Sequence, residues 1–193
     1  MATAEGRAMT RLGWFFTTYF AALGVGLSMA LHPMPRLIWN ATASVPVGLY
    51  RLHPVGAPHV GDLIALHLPE RDADMLARGG YLPLGVPLLK PVAAVGGQTV
   101  CRSGSHITID GRATGDALPV DHRHRPLPVW QGCHRLGVRE LFVMNTHEPR
   151  SLDGRYFGPL PVSSVIGRAT PLWVGAGPAS AASPSPSHTS EDY

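Results

Sequence analysis

The chain has 193 residues, of which 45 % are hydrophobic and 15 % are charged, and this composition supports one small folded core with appendages. Its net charge of +3 and isoelectric point near 9.2 come from scattered arginines. Arg123 and Arg125 are the nearest approach to a basic cluster, and no basic run is interleaved with aromatic residues. This pattern argues against a nucleic-acid groove, and we expect no nucleic-acid partner.

An uncharged segment at residues 12–31 is long enough to cross a bilayer once as a helix. Arg7 and Arg11 precede it and Trp14 lies at its start, which is typical of a membrane interface with the N-terminus in the cytoplasm. We therefore predict a cytoplasmic segment at residues 1–11, a transmembrane anchor at 12–31, and the rest of the chain outside.

Two other interpretations of this segment stay open. Ser28-Met29-Ala30 resembles the small-x-small site at which a signal peptide is removed, but the apolar core exceeds the roughly 7 to 15 residues of such a peptide. A helix buried in a protein core is the other alternative. The length of the apolar segment favours an uncleaved anchor.

A stiff bend at residues 40–50 follows the anchor and carries Ser44. Pro46 fixes its own φ and pushes Val45 toward an extended conformation, while Gly48 permits a turn or a close backbone approach. A serine hydroxyl is a poor nucleophile until a base removes its proton, so a catalytic Ser44 needs a base elsewhere in the chain. An ordinary turn serine is the alternative interpretation.

Lys90 is the only lysine among the 16 Lys and Arg residues, and arginines stay protonated near neutral pH. It lies in the apolar run 87–95, where desolvation would lower its pKa from about 10.4 toward roughly 8 and make a neutral amine available as a base. The alternative is a lysine present by chance in an arginine-rich composition, with a packed stem and a solvated ammonium group.

Short apolar runs alternate with turn residues after the bend, which is typical of β-strands. With 22 Gly and 19 Pro, long helices are not expected there, and only residues 71–78 are predicted as a short helix. We predict a mainly β fold, a partly open barrel or sandwich, at residues 32–174, with a loop-rich region at about 114–131. Residues 175–193 are predicted to be a disordered tail. The predicted strands are 48–52, 62–68, 98–100, 106–110 and 141–144.

The predicted topology allows Cys101 and Cys133 to pair outside the cytoplasm, and such a disulfide would add roughly 3 kcal/mol of stability. A metal site needs more clustered ligands than the sequence offers. The ten histidines are scattered, and His122 and His124 lie in a proline-rich stretch typical of a solvated loop. We predict no metal and no cofactor.

Three segments behind the apolar anchor carry recognisable motifs. They are Ser-Val-Pro-Val-Gly-Leu-Tyr at 44–50, Leu-Leu-Lys-Pro-Val-Ala-Ala-Val-Gly-Gly at 88–97 and Ser-Leu-Asp-Gly-Arg-Tyr-Phe-Gly-Pro at 151–159. In this order they resemble the membrane-anchored signal peptidases that use a Ser/Lys dyad, and more closely the TraF-type conjugative transfer signal peptidases. The segment Pro-Leu-Pro-Val-Trp-Gln-Gly-Cys at 126–133 also resembles this subgroup, which supports the pairing of the two cysteines.

The third segment departs from the pattern of the family. Gly154 stands where many bacterial signal peptidases carry a serine that is proposed to orient the lysine ammonium. Ser151 or a backbone group could substitute for it. The Gly-Asp-Asn element that usually precedes this segment is not evident at residues 145–150.

The resemblance implies roles for individual residues. Neutral Lys90 would take the proton from Ser44, whose oxygen attacks a substrate carbonyl, and the Ser44 backbone N–H and the Thr42 hydroxyl would hold the oxyanion. Asp153 and Arg155 are predicted to form a structural ion pair that braces the third segment near the dyad. A direct catalytic part for Asp153 is the alternative.

The resemblance also implies a place and a substrate. It implies a bacterial inner-membrane protein with its catalytic domain in the periplasm, facing the membrane surface because Ser44 follows the anchor closely. The expected substrate is a pilin precursor, cleaved or cyclised, with other conjugative transfer components as further partners. A general signal peptidase for exported proteins and a non-catalytic periplasmic scaffold of a secretion channel are alternatives. A sortase-like thiol enzyme or a LexA-like self-cleaving repressor fits the sequence less well.

Overall fold

Helix α1 covers Arg11–Leu31, within one residue of the predicted anchor. The computed structural model describes residues 10–31 and 36–175, which belong to two compact units, the first with the helix and the second rich in β-strands. The stretch Arg11–Met29 is long and apolar enough to cross a membrane, and none of it is buried within the protein. Most of the predicted cytoplasmic segment and all but the first residue of the predicted tail lie outside the described residues.

Eleven strands and two short α-helices make up the β-rich unit within residues 36–175. In chain order they are β1 (Leu37–Asn40), β2 (Gly48–His53), β3 (Leu63–Leu66), α2 (Glu70–Arg78), β4 (Leu88–Val95), β5 (Thr99–Ser103), β6 (His106–Ile109), β7 (Arg112–Asp116), β8 (Gly132–Arg135), β9 (Glu140–Val143), α3 (Gly154–Phe157), β10 (Leu160–Pro161) and β11 (Val165–Val174). The prediction of a mainly β fold with one N-terminal apolar helix is confirmed.

Seven of the strands form an antiparallel sheet, curled as a half barrel, in the order β1-β2-β11-β3-β4-β9-β10. Strand β2 directly follows the bend that carries Ser44, and β4 carries Lys90 opposite Ile64 of β3. The sheet therefore holds the two predicted active-site segments on one scaffold, with β11 and β3 between them.

The remaining four strands form a second sheet in the order β7-β6-β5-β8. Strand β8 lies at its edge, and all four of its residues are exposed. Cys101 of β5 and Cys133 of β8 are direct cross-strand partners, and a disulfide joins them. The covalent bond ties an edge strand that buries no side chain to the centre of its sheet.

The main core cluster explains how a lysine comes to be buried. Side chains alternate along a strand, so Lys90 shares its face of β4 with Leu88 and Val92. Both of these residues belong to a cluster of buried apolar side chains from β3, β4, β9 and β10. The members of the cluster are Ile64, Leu66, Leu88, Val92, Leu141, Val143 and Leu160.

The five predicted strands coincide with β2, β3, β5, β6 and β9, and the predicted short helix coincides with α2. Strands β4 and β11 were not predicted, although each is long. Pro91 interrupts the pattern of β4, and Gly167 and Pro171 interrupt that of β11, so neither shows the uninterrupted β-forming run that marks a strand. Between β7 and β8, the described backbone forms no strand or helix, and the isolated bridge Val120–Pro126 is its one β-type pairing.

Candidate active site

Four of the residues selected from the sequence line one open cavity of about 330 Å³. Thr42 and Ser44 come from the bend before β2, Lys90 comes from β4, and Ser151 precedes α3. These four polar side chains are therefore neighbours in space although they lie far apart in the chain. The rest of the wall is formed by Ala43, Leu76, Tyr81, Leu82, Leu88, His122, Glu148, Arg150 and Leu152.

Ser44 lies in a turn between β1 and β2, and its Oγ is 3.2 Å from Oγ1 of Thr42. The Ser44 carbonyl accepts a hydrogen bond from Nδ2 of Asn145. Strand β2 begins four residues after Ser44, at Gly48, where its backbone approaches β11 closely. A Cβ at Gly48 would lie 2.2 Å from the Trp173 carbonyl oxygen of β11, so any side chain there would separate the two strands.

Lys90 has only 1 % of its surface exposed, and its Nζ donates a hydrogen bond of 2.7 Å to Ser151 Oγ. Burial lowers the pKa of Lys90 from 10.5 to about 8, and the Arg155 guanidinium acts in the same direction while the Asp153 carboxylate opposes it. An amine with a pKa near 8 is neutral in roughly a tenth of molecules at pH 7, so it can act as a base.

Lys90 and Ser44 line the same cavity without a direct hydrogen bond between them in the described structure. The amine donates to Ser151, and the Ser44 hydroxyl contacts Thr42. A direct proton transfer between Ser44 and Lys90 would need a side-chain arrangement other than the one described.

The structure also explains the glycine that departs from the family pattern. A Cβ at Gly154 would lie 2.6 Å from both the Val143 carbonyl oxygen and the Phe142 ring, so no serine fits at this position. Of the two substitutes considered from the sequence, Ser151 is the one that contacts Lys90. The hydroxyl partner of the lysine thus comes from three residues earlier in the chain.

Asp153 and Arg155 form a buried ion pair, with 2.9 Å between Oδ2 and Nη2. The Arg155 guanidinium also donates to backbone carbonyls of the preceding loop, at Asn145, Glu148, Pro149 and Ser151. The carboxylate of Asp153 accepts from the Asn145 backbone N–H at 3.0 Å. The pair therefore organises the loop that brings Ser151 to Lys90, while neither of its side chains lines the cavity.

Asn145 and Tyr81 are site residues that the sequence did not reveal. Asn145 holds the Ser44 carbonyl, and Tyr81 lines the cavity while its hydroxyl donates to Asp121. Arg125, in the same loop as Asp121, donates to the Gly79 carbonyl at 3.0 Å, so these two hydrogen bonds tie the loop before β8 to the segment after α2. Isolated polar residues in loops carry no local signal of such contacts.

The two cysteines lie away from this cavity. The disulfide lies in the second sheet, and neither cysteine lines the cavity. Within residues 10–31 and 36–175, no group of three or more His, Cys, Asp and Glu side chains is arranged to hold a metal ion.

A sequence profile described as signal peptidase, peptidase S26, matches residues 9–174. The chain belongs to this signal peptidase family. As a member of the S26 family it is of the serine peptidase type. The matched span contains the apolar helix and all three motif segments, so the family resemblance inferred from those motifs is confirmed.

Relatives that bear the name TraF match most of the chain. A probable conjugal transfer protein TraF of Sinorhizobium fredii is 36 % identical over 142 residues, which are 67 % of this chain and 73 % of that protein. The conjugal transfer protein TraF of Agrobacterium tumefaciens is 34 % identical over 154 residues, 69 % of this chain and 80 % of the relative. A plasmid transfer protein TraF of Escherichia coli is 29 % identical over 163 residues, 77 % and 91 % of the two chains.

Among solved structures, a signal peptidase I from Enterococcus faecalis is 20 % identical to this chain. The two superpose with a TM-score of 0.36 over 60 % of this chain and 99 % of the other. The family assignment rests on the sequence match and does not depend on this superposition.

Proposed function

We propose that this chain is a membrane-anchored serine endopeptidase with a Ser44/Lys90 dyad that processes a conjugative pilin precursor. The observation that carries the catalytic part is the position of Lys90. The only lysine of the chain is buried, has a pKa lowered to about 8, and shares a cavity with Ser44. A lysine with a purely structural role would keep its ammonium group in water.

Neutral Lys90 takes the proton of Ser44 as Oγ bonds to the carbonyl carbon of the scissile peptide. The Ser44 N–H and the Thr42 hydroxyl stabilise the resulting oxyanion. Lys90 then returns the proton to the leaving nitrogen, the C–N bond breaks, and an acyl group remains on Ser44. Ser151 holds the amine of Lys90 in the cavity throughout these steps.

The substrate is inferred from the relatives and from the cavity wall. The relatives' names assign them to conjugal and plasmid transfer, which supports a pilin precursor as substrate and other transfer components as partners. Leu76, Leu82 and Leu88 make much of the wall apolar, which suits small apolar side chains beside the scissile bond. The precursor would bind as an extended strand along a sheet edge.

The proposed location is the bacterial inner membrane, with residues 36–175 in the periplasm. The apolar helix α1 supports an anchor in the bilayer. The disulfide between Cys101 and Cys133 supports an oxidising compartment for the β-rich unit. Protease added to spheroplasts is expected to digest this unit, and protection of the unit would contradict the orientation.

Co-expression of the full chain with a candidate pilin precursor tests the dyad. The wild type is expected to process the precursor, whereas Ser44→Ala and Lys90→Arg are expected to leave it intact. Ser105→Ala, in the turn between β5 and β6, is the matched control and is expected to act as the wild type does. Processing by either dyad variant, once it is folded and membrane-inserted, would show that the dyad assignment is wrong.

The mass of the processed pilin shows how the acyl-enzyme is resolved. If water resolves the acyl-enzyme the product is linear, whereas attack by the substrate's own amine gives a cyclic product about 18 Da lighter, the mass of one water. Processing of other exported precursors, with the pilin left intact, would instead support a general signal peptidase.

A further inference from the structure

Asn40, the last residue of β1, is a buried amide for which the mechanism above has no role. Its Nδ2 donates to the carbonyls of Thr42, Val45 and Pro46 at 2.9, 3.0 and 3.1 Å. Its Oδ1 accepts from the backbone N–H and the hydroxyl of Thr42 at 3.2 and 2.8 Å. One side chain therefore binds the backbone on both sides of Ser44.

The positions of the protons follow from these contacts. The Asn40 amide is oriented with its NH₂ group toward three carbonyl oxygens, because the opposite orientation would set an oxygen against them. An amide oxygen only accepts, so Thr42 gives its single hydroxyl proton to Asn40. In the contact between Thr42 and Ser44, the donor is then Ser44. The hydrogen bonds run from Ser44 to Thr42 to Asn40.

Two further side chains hold the same loop, which we call the nucleophile loop (residues 41–47). Asn145 donates to the Ser44 carbonyl, and the Tyr50 hydroxyl donates to the Pro46 carbonyl at 2.6 Å. The carbonyls of residues 42, 44, 45 and 46 are therefore all bound by side chains of the fold. Within the described residues the Ser44 N–H donates to no acceptor, which leaves it available to an oxyanion.

We propose that Asn40 is a positioning residue of the peptidase, which holds the nucleophile loop so that the Ser44 hydroxyl and the Ser44 N–H act on one substrate carbonyl. The Thr42 hydroxyl donates to the oxyanion only after its proton turns away from Asn40. The inference rests on the proposed function. Asn40 does not line the cavity, so it acts through Thr42 and the loop backbone. Of the residues involved, only Thr42 and Ser44 belong to the motif chemistry predicted from the sequence.

The test uses the full chain in detergent micelles and an internally quenched peptide with alanine at the first and third positions on the acyl side of the scissile bond. Asn40→Ala is expected to lower kcat about 10- to 100-fold, because small displacements of a nucleophile cost about that much. KM is expected to stay within about twofold, since the cavity wall keeps its residues. The midpoint of the pH profile is expected to stay where Lys90 sets it.

Two companion variants separate positioning from loss of stability. Asn40→Asp keeps the size of the side chain and the acceptor for Thr42 but removes both N–H donors, so it is expected to lose kcat as Asn40→Ala does. Ile107→Val thins the core of the second sheet, far from the loop in the topology, and is expected to keep kcat within about twofold. Urea unfolding of each variant measures its stability.

Some results would refute only the positioning role of Asn40, and others would refute the Ser44/Lys90 dyad as well. Full kcat in either Asn40 variant, a loss confined to KM, or an equal kcat loss in Ile107→Val overturns the positioning role. Failure of both Asn40 variants to fold also overturns it, because Asn40 would then be a determinant of the fold. Cleavage that persists in Ser44→Ala refutes the proposed dyad itself, and the positioning role with it.

Discussion

Lys90 shows what a single residue's surroundings in the sequence can and cannot predict. The apolar neighbours of the lysine on both sides predicted burial and a lowered pKa, and the structure shows both. Its hydrogen-bond partner Ser151 lies 61 residues away, and no local pattern selects it over a backbone group. Burial of one residue is a local property of its strand, whereas the choice of partner depends on the fold.

The pH dependence of cleavage follows from the pKa of Lys90. Below about 8 the amine is protonated and cannot accept the Ser44 proton, so kcat/KM is expected to rise with pH through about 8 and to level off above it. Steady-state cleavage of the quenched peptide between pH 6 and pH 10, values chosen to bracket the pKa by about two units, measures the midpoint. A flat profile, or one that falls across this range, would contradict a lysine base.

The same pKa makes Lys90 costly for stability. The unfolded chain binds the lysine proton up to about pH 10.5 and the folded chain only up to about 8, so the free energy of unfolding rises with pH between these values. Below pH 8 the full penalty applies, about 3 kcal/mol for a shift of this size. Lys90→Met is therefore expected to abolish cleavage while raising the free energy of unfolding at pH 7.

Urea denaturation followed by tryptophan fluorescence measures this effect. The gain from Lys90→Met is expected to shrink as the pH rises toward 10.5 and to level off above it, where the wild-type lysine is neutral in both states. Ser105→Ala, which leaves Lys90 in place, is expected to show the pH dependence of the wild type. A Lys90→Met variant that is less stable than the wild type at pH 7 would contradict a buried, desolvated amine.

The elements around the site were predictable to different degrees. The bend before β2 was predictable because Pro46 and Gly48 restrict the backbone locally. The order of the strands was not, because β11 inserts between β2 and β3 from the far end of the chain. Pairing between distant strands depends on tertiary contacts, which composition and spacing do not encode.

The disulfide is expected to matter most for the element it secures. Strand β8 buries no side chain, so the bond to Cys101 is its main attachment besides the ladder to β5. Replacing Cys101 and Cys133 together by alanine opens a loop of 32 residues and is expected to lower the free energy of unfolding by about 3 kcal/mol. Urea denaturation under oxidising conditions measures the loss.

Reduction provides the internal control for this variant. Dithiothreitol is expected to bring the wild type to the stability of the double alanine variant and to leave that variant unchanged. Cleavage of the quenched peptide is expected to persist in both proteins while they stay folded, because neither cysteine lines the cavity. An unfolding midpoint that does not respond to reduction would contradict a stabilising bond.

For the whole molecule, the sequence predicted the family, the fold class and the apolar helix, because three motifs in order behind such a helix are specific in combination. It did not predict the division of the strands into two sheets. Nor did it predict the loop contacts of Asn145, Tyr81 and Asp121. These depend on turns whose side chains meet partners from other parts of the chain, so they become visible only in the assembled fold.

Because the chain has one lysine, Lys90 carries its single side-chain amine. Reductive methylation with ¹³C-labelled formaldehyde would place the isotope at the Nζ of Lys90 and at the terminal amine, with no mutation needed to remove other lysines. The chemical shift of the methyl group on Lys90, followed while a peptide ligand is added, would report the charge of the amine directly. In a protein with many surface lysines, the signals of the other methylated amines would overlap with the signal of the buried one.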